Sequence, residues 1–210
     1  MRASYGGSPP ACHPGPDLAA RARACRDCLG VVPGSAVVDL PPRAVPVLFV
    51  GEAPGRLGAA RTGIPFIGDV AGERFDRLLE ASGLDRPDVA VTNAVLCLPL
   101  DARGRNRRPT PREIRACAPH LAAALEATRP ALVVALGTVA LTGLAALAPH
   151  TLALRRDVAH PFVWAGRWLV PLYHPSARTA AHRPFARQLD DWRRLGMFVR
   201  EFAADRSVAS

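Results

Sequence analysis

The chain has 210 residues, 49% of them hydrophobic and 21% charged, enough for one well-buried core and too little for two separate domains. Its 27 basic residues outnumber 18 acidic ones, and the net charge of +9 favours a polyanionic partner. Every one of the 27 is arginine, so covalent chemistry through a lysine Schiff base is excluded, and the first twenty residues lack the apolar core of a secretory signal, which predicts a cytoplasmic protein.

Residues 1–17, rich in Ser, Pro and Gly, read as a disordered tail, and 18–205 as a single domain. A short helical pattern over 17–28 leads to a Cys-rich turn and then an irregular, Pro-bearing stretch as far as Pro46. Apolar runs predict strands at Val47–Val50, Val89–Thr92, Leu132–Leu136 and Leu169–Tyr173. Helical periodicity fills Ala71–Ser82 and Pro111–Thr128, and the second of these opens with a capping box: Thr110 as N-cap, Pro111 at the first position and Glu113 at the third. Such alternation predicts a parallel sheet with helices on both faces. The apolar stretch from Pro130 to Pro149 is long enough to resemble a membrane span, yet Gly137, Thr138, Thr142 and Gly143 interrupt it. It reads as strand, turn and helix, so no membrane association is expected.

Polar residues with chemical potential fall at strand ends. Glu52 follows the first strand in the turn Gly51-Glu52-Ala53-Pro54-Gly55, Asn93 follows the second, and His174 the fourth. Ligands of open α/β sheets gather outside the carboxyl ends of the strands, so the three predict one shared pocket. Of five cysteines, Cys12 lies in the tail, while Cys25 and Cys28 form C-x-x-C, with Cys97 and Cys117 placed to close a four-thiolate set. Zinc and a four-iron cluster both accept four thiolates, and the spacing alone leaves both open.

In order and spacing these segments resemble the iron–sulfur (family 4) branch of the uracil-DNA glycosylase superfamily. The match is carried by Gly51-Glu52-Ala53-Pro54-Gly55, the aromatic loop Gly63-Ile64-Pro65-Phe66-Ile67-Gly68, Thr92-Asn93-Ala94-Val95, the approach Arg108-Pro109-Thr110-Pro111-Arg112-Glu113-Ile114 to Cys117, and His174-Pro175-Ser176. The resemblance implies a three-layer α/β/α sandwich around a four-stranded parallel sheet. It also implies a [4Fe-4S] cluster on Cys25, Cys28, Cys97 and Cys117, a monomeric enzyme and uracil-containing DNA as partner.

It further implies the roles. Phe66 stacks on the extruded base, Gly51 and Ala53 border it, and Asn93 reads uracil N3–H and O4. Glu52 orders or activates water beside the oxocarbenium-like sugar, and His174 donates to uracil O2 as charge develops there. Arg105, Arg107 and Arg108, in the loop after Cys97 that also holds Arg103, are expected on the DNA backbone with Ser176, Arg178 and Arg183, Arg178 being a candidate to fill the gap left by the base. Without lysine the product is an intact abasic site. The loop Gly104-Arg105-Asn106-Arg107-Arg108 has no histidine with which to trap it, so turnover is expected. Between Gly55 and Asp69 there is no acid, a departure from the family pattern that leaves the exclusion of thymine unassigned. The rival readings are a glycosylase for hypoxanthine or xanthine and a noncatalytic iron–sulfur module that binds nucleic acid.

Overall fold

The computed structural model describes residues 14–28 and 30–208. The first helix, α1 (Pro14–Ala24), already contains the last four residues of the expected tail; the remainder of that tail, with Cys12, lies outside the described residues. Strand β1 (Val47–Gly51) follows, then a single helical turn, α2 (Ala59–Thr62), and α3 (Val70–Ser82). Asp69 caps α3 by accepting from the Gly72 amide, and Gly83, at φ 72°, ends it in the left-handed conformation that glycine adopts without strain. Next come β2 (Val89–Asn93) and α4 (Pro111–Thr128), whose capping box has both hydrogen bonds in place. The apolar stretch expected to break into strand and helix does so, as β3 (Leu132–Leu136) and α5 (Thr138–Ala145). Among the described residues no helix is long and apolar enough to cross a membrane.

The chain ends with α6 (Leu154–Asp157), β4 (Phe162–Trp164), β5 (Arg167–Leu172) and α7 (Phe185–Val208). The sheet therefore has five strands, ordered β2-β1-β3-β5-β4, in place of the expected four. The four predicted strands pair in parallel, and β4 adds an antiparallel edge against β5. Three residues of β4 are too few to show a period, and its hairpin turns through Ala165 and Gly166, both at positive φ, where sequence rules look for Asn-Gly or Asp-Gly.

Side chains alternate between two cores, as the two-residue period of a strand requires. Leu48, Val50, Val133, Ala135 and Leu169 pack on one face with α4 and α5, while Val47, Phe49, Val134, Val170 and Leu172 pack on the other with α3 and α7. These are the three layers of an α/β/α sandwich. Phe49 stacks on Trp192 of α7 at 5.1 Å between ring centroids and meets Phe75 of α3 edge-on at 5.3 Å, fixing both helices beneath the β1 end that leads to Glu52.

Candidate active site

Parallel register brings the carboxyl ends of the central strands to one edge: Gly51 pairs with Asn93, and Leu136 with Leu172. The turn after β1 is tied to the segment after β2, because the Gly51 and Glu52 carbonyls accept from the Ala94 and Val95 amides at 3.0 and 3.1 Å. Glu52, Phe66, Asn93 and His174 consequently line a single cleft of about 1470 Å³, room for a nucleotide together with part of its strand. Ala53, Arg107, Arg108, Ser176 and Arg178 line the same cleft.

Gly51 is the hinge of this arrangement. A Cβ there would collide with Asn93 Oδ1 and stand 3.3 Å from the Phe66 ring, so only glycine lets the amide and the ring meet over the end of β1. Phe66 itself sits at φ 56°, a strained backbone for an aromatic residue. It is held there by Arg86, which donates to the Phe66 carbonyl at 2.8 Å and the Pro65 carbonyl at 3.2 Å while paired with Asp76 at 2.8 Å. One side of the ring is taken by Phe75, stacked at 4.7 Å, and His174 stands 5.4 Å away, tilted by 40°. Asn93 is only 4% exposed, yet among the described residues its amide has no hydrogen-bond partner. A buried amide in that state has its pairing capacity turned to the cleft.

The Ser176 amide donates to His174 Nδ1 at 3.1 Å, which makes that nitrogen the acceptor and leaves the ring proton on Nε2. Burial, reinforced by the Arg178 charge, pushes the His174 pKa down to about 4, so the imidazole is neutral at physiological pH. Burial also raises the Glu52 pKa, opposed by the positive charges of Arg178 and Arg108. The cleft thus holds a carboxylate kept ionisable by two arginines and a neutral imidazole whose Nε2–H is a donor.

Not all the expected arginines serve the cleft in the same way. Arg107 turns inward and spends all five N–H groups on protein: Leu100 and Arg108 carbonyls at 3.0 Å each, both Glu113 carboxylate oxygens at 2.9 and 2.5 Å, and the Gly30 carbonyl. It braces the loop and has nothing left for a phosphate. Arg105 pairs with Asp101 at 2.9 Å and lies outside the cleft lining, and Arg183 grips Asp191 of α7 at 2.5 Å, anchoring the segment after His174. Arg108 and Arg178 remain exposed at the cleft, Arg108 donating to Thr138 at 2.8 Å. Sequence reasoning missed Arg86, and it missed Asn106, whose Oδ1 accepts the Arg56 amide at 3.0 Å and clamps the Arg-rich loop to the Glu52 turn. Neither belongs to a motif; their partners are remote backbone groups.

The four expected cysteines are free thiols that line one small cavity between α1, the segment after β2 and α4. Burial raises the Cys117 thiol to about 12 and also raises Cys28 and Cys97, and neighbouring thiols push each of the three further up. These three thiols therefore hold their protons at neutral pH, so a metal partner would bind them only with release of those protons.

Residues 38–195 match the family model of the uracil DNA glycosylase superfamily. A type-4 uracil-DNA glycosylase of Archaeoglobus fulgidus is 34% identical over 157 residues, covering 71% of this chain and 75% of that protein. One from Thermotoga maritima is 37% identical over 131 residues, spanning 62% of this chain and 64% of the relative's length. A crystal structure of Pedobacter heparinus SMUG2 superposes with a TM-score of 0.50 over 78% of this chain and 77% of that one at 15% identity, a likeness of fold. By the extent of the family match and the identity of these relatives, the chain belongs to the uracil DNA glycosylase superfamily.

Proposed function

We propose that this protein hydrolyses the N-glycosidic bond of deoxyuridine in DNA, releasing uracil and leaving an abasic site. The observation that carries this reading is the unpaired, buried Asn93 amide beside the Phe66 ring, with the neutral His174 on the same cleft floor. Extrusion of a nucleotide costs a few kcal/mol, offset by stacking on Phe66 and by hydrogen bonds that water no longer provides. Asn93 accepts from uracil N3–H and donates to O4; cytosine presents the opposite pattern at both positions. As the glycosidic bond lengthens, negative charge reaches uracil O2, where the His174 Nε2–H donates, and positive charge builds on the sugar, where Glu52 orients the attacking water. Ser176 acts through His174 by holding its tautomer. Arg108 and Arg178 hold the strand beside the site.

Asn93→Asp is expected to lower kcat/KM for uracil by about a hundredfold and to admit slow excision of cytosine, measured on oligonucleotides treated with alkali. Unchanged uracil excision would overturn the assignment of Asn93. Strand scission by the pure protein without alkali would overturn the single-step, lysine-free chemistry.

The four thiols fit a [4Fe-4S] cluster held by Cys25, Cys28, Cys97 and Cys117. They converge on one cavity, and four thiolates from three separate segments are a donor set such a cluster takes. When bound, the cluster would supply cross-linking of α1, the segment after β2 and α4. Protein purified without oxygen is expected to be brown with about four irons per chain, and Cys117→Ser to lose the colour and melt at lower temperature. One zinc per colourless chain is the outcome that rejects the cluster.

A further inference from the structure

The cleft is larger than one base needs. Its volume of about 1470 Å³ exceeds the roughly 300–1,000 Å³ of a pocket that holds one small ligand, and its lining runs on past the reaction site into an arm between α5 and the segment 150–155. The arm begins at Gly137, where a Cβ would stand 3.5 Å from that of His174, so it opens directly beside the extruded base. One wall is a single face of α5: Thr138, Leu141, Thr142 and Ala145 recur at the i, i+3, i+4 and i+7 spacing and cover about 10 Å of helix. The other wall includes His150, Leu152 and Arg155.

His150 is fixed between the two walls. The Leu152 amide donates to its Nδ1 at 3.3 Å, and its Nε2 donates to the Leu141 carbonyl at 3.1 Å. With both ring nitrogens engaged, His150 offers the arm carbon surface, as Ala145 and Leu152 do. An aromatic surface of this kind stacks any base, since every base has a π face. Charge agrees with that occupant. Of two neighbouring arginines, Arg156 is bound to Asp157 and to the Thr151 carbonyl at 2.8 and 2.7 Å, whereas Arg155 is exposed and among the described residues has no hydrogen bond or ion pair. The carboxylates that line the cleft, Glu52 and Asp69, belong to the β1 turn and the α3 cap, so among the described residues the arm has none. Arg155 on one wall and Arg108, which donates to Thr138 on the other, give an apolar slot positive charge on both sides. A base flanked by phosphates has the complementary pattern.

We infer that this arm is a second nucleotide subsite, which takes the nucleotide next to the extruded deoxyuridine on the same strand, its base on His150 and its phosphate on Arg155. The inference rests on the glycosylase reading for the identity of the strand, and its test reads affinity, not turnover. Single strands carrying non-hydrolysable 2′-fluoro-deoxyuridine are titrated with the native protein, either complete or with an abasic spacer replacing the base on the 5′ or the 3′ side. Removing the base on one side is expected to weaken binding about tenfold, and on the other side less than twofold. Thr142→Leu, at an exposed position, narrows the slot; it is expected to weaken binding of the complete strand about fivefold and of the strand lacking the sensitive base less than twofold. Arg155→Ala is expected to reduce the slope of log affinity against log salt by about 0.7, the contribution of one phosphate on a single strand.

Equal losses on the two sides, or a loss on neither, overturn the subsite. So does a Thr142→Leu penalty that persists on the strand lacking the sensitive base. An unchanged salt slope in Arg155→Ala overturns the phosphate contact. Native protein that shows the one-sided loss but releases no uracil from cleavable single-stranded or duplex DNA overturns the glycosylase reading alone.

Discussion

Glu52→Gln is expected to reduce kcat for uracil release by about 10²- to 10⁴-fold while leaving affinity for uracil-containing DNA nearly intact. The amide keeps the size and hydrogen-bonding reach of the side chain and removes the negative charge that, in the proposed function, faces the cationic sugar and acts more strongly as the bond breaks. The same substitution has a second, opposite effect on the fold. Because burial raises the Glu52 pKa, the native carboxyl retains its proton over a range in which the unfolded chain has lost it. Stability is therefore lost as pH rises through that range, and Glu52→Gln, which has no proton to lose, is expected to melt higher than the native protein at neutral pH but not at acid pH. The activity of the native enzyme should show an acid limb above the ordinary carboxylate range. Arg178→Ala takes away a charge that lowers the Glu52 pKa, so the limb should move to higher pH. A profile of kcat/KM against pH for the two proteins checks the sign.

His174→Ala is expected to cost about 10²- to 10³-fold in kcat, the range for losing one preorganised donor to a developing oxyanion. Neutrality is the testable part of the assignment. With a pKa of about 4, the His174 ring should stay unprotonated from physiological pH well into acid, and its carbon-bound ring protons in NMR should titrate near that value. An unfolded histidine ionises near 6.5, so as pH falls from about 6.5 towards 4 the unfolded chain takes up a proton that the native state refuses. Native stability falls across that window, and His174→Ala should flatten this part of the stability profile. A ring that titrates well above neutral pH would mean that the imidazole enters the reaction as a cation and would overturn its role as a neutral donor.

The parts of this molecule legible in the sequence are those dictated by short-range rules. Periodicity located all four parallel strands, since fully buried strands read as apolar runs, and the capping box of α4 appears as written because both its hydrogen bonds close within three residues. Glu52, Asn93 and His174 were legible as a group because parallel connectivity sends consecutive strand ends to one edge. What escaped depends on long-range pairing. Arg107 and Arg108 are adjacent in the chain and alike in type; Glu113 and Gly30 claim the first, and the cleft keeps the second. No local pattern separates them. The strain at Phe66 was equally hidden, because Arg86, twenty residues on, supplies the two hydrogen bonds that hold it.

The inward turn of Arg107 has one more consequence. A single guanidinium spans the carbonyl of Gly30, two residues past Cys28, the first turn of α4 at Glu113 and the backbone of Arg108 at the cleft. The cysteine end of the molecule and the catalytic end are thus joined by one rigid rod. Freeing the Cys25–Cys28 segment would strip Arg107 of its Gly30 acceptor and slacken the loop that carries Arg108 and Asn106, so under the proposed function a change at the cysteines would be felt as a loosened grip on the strand.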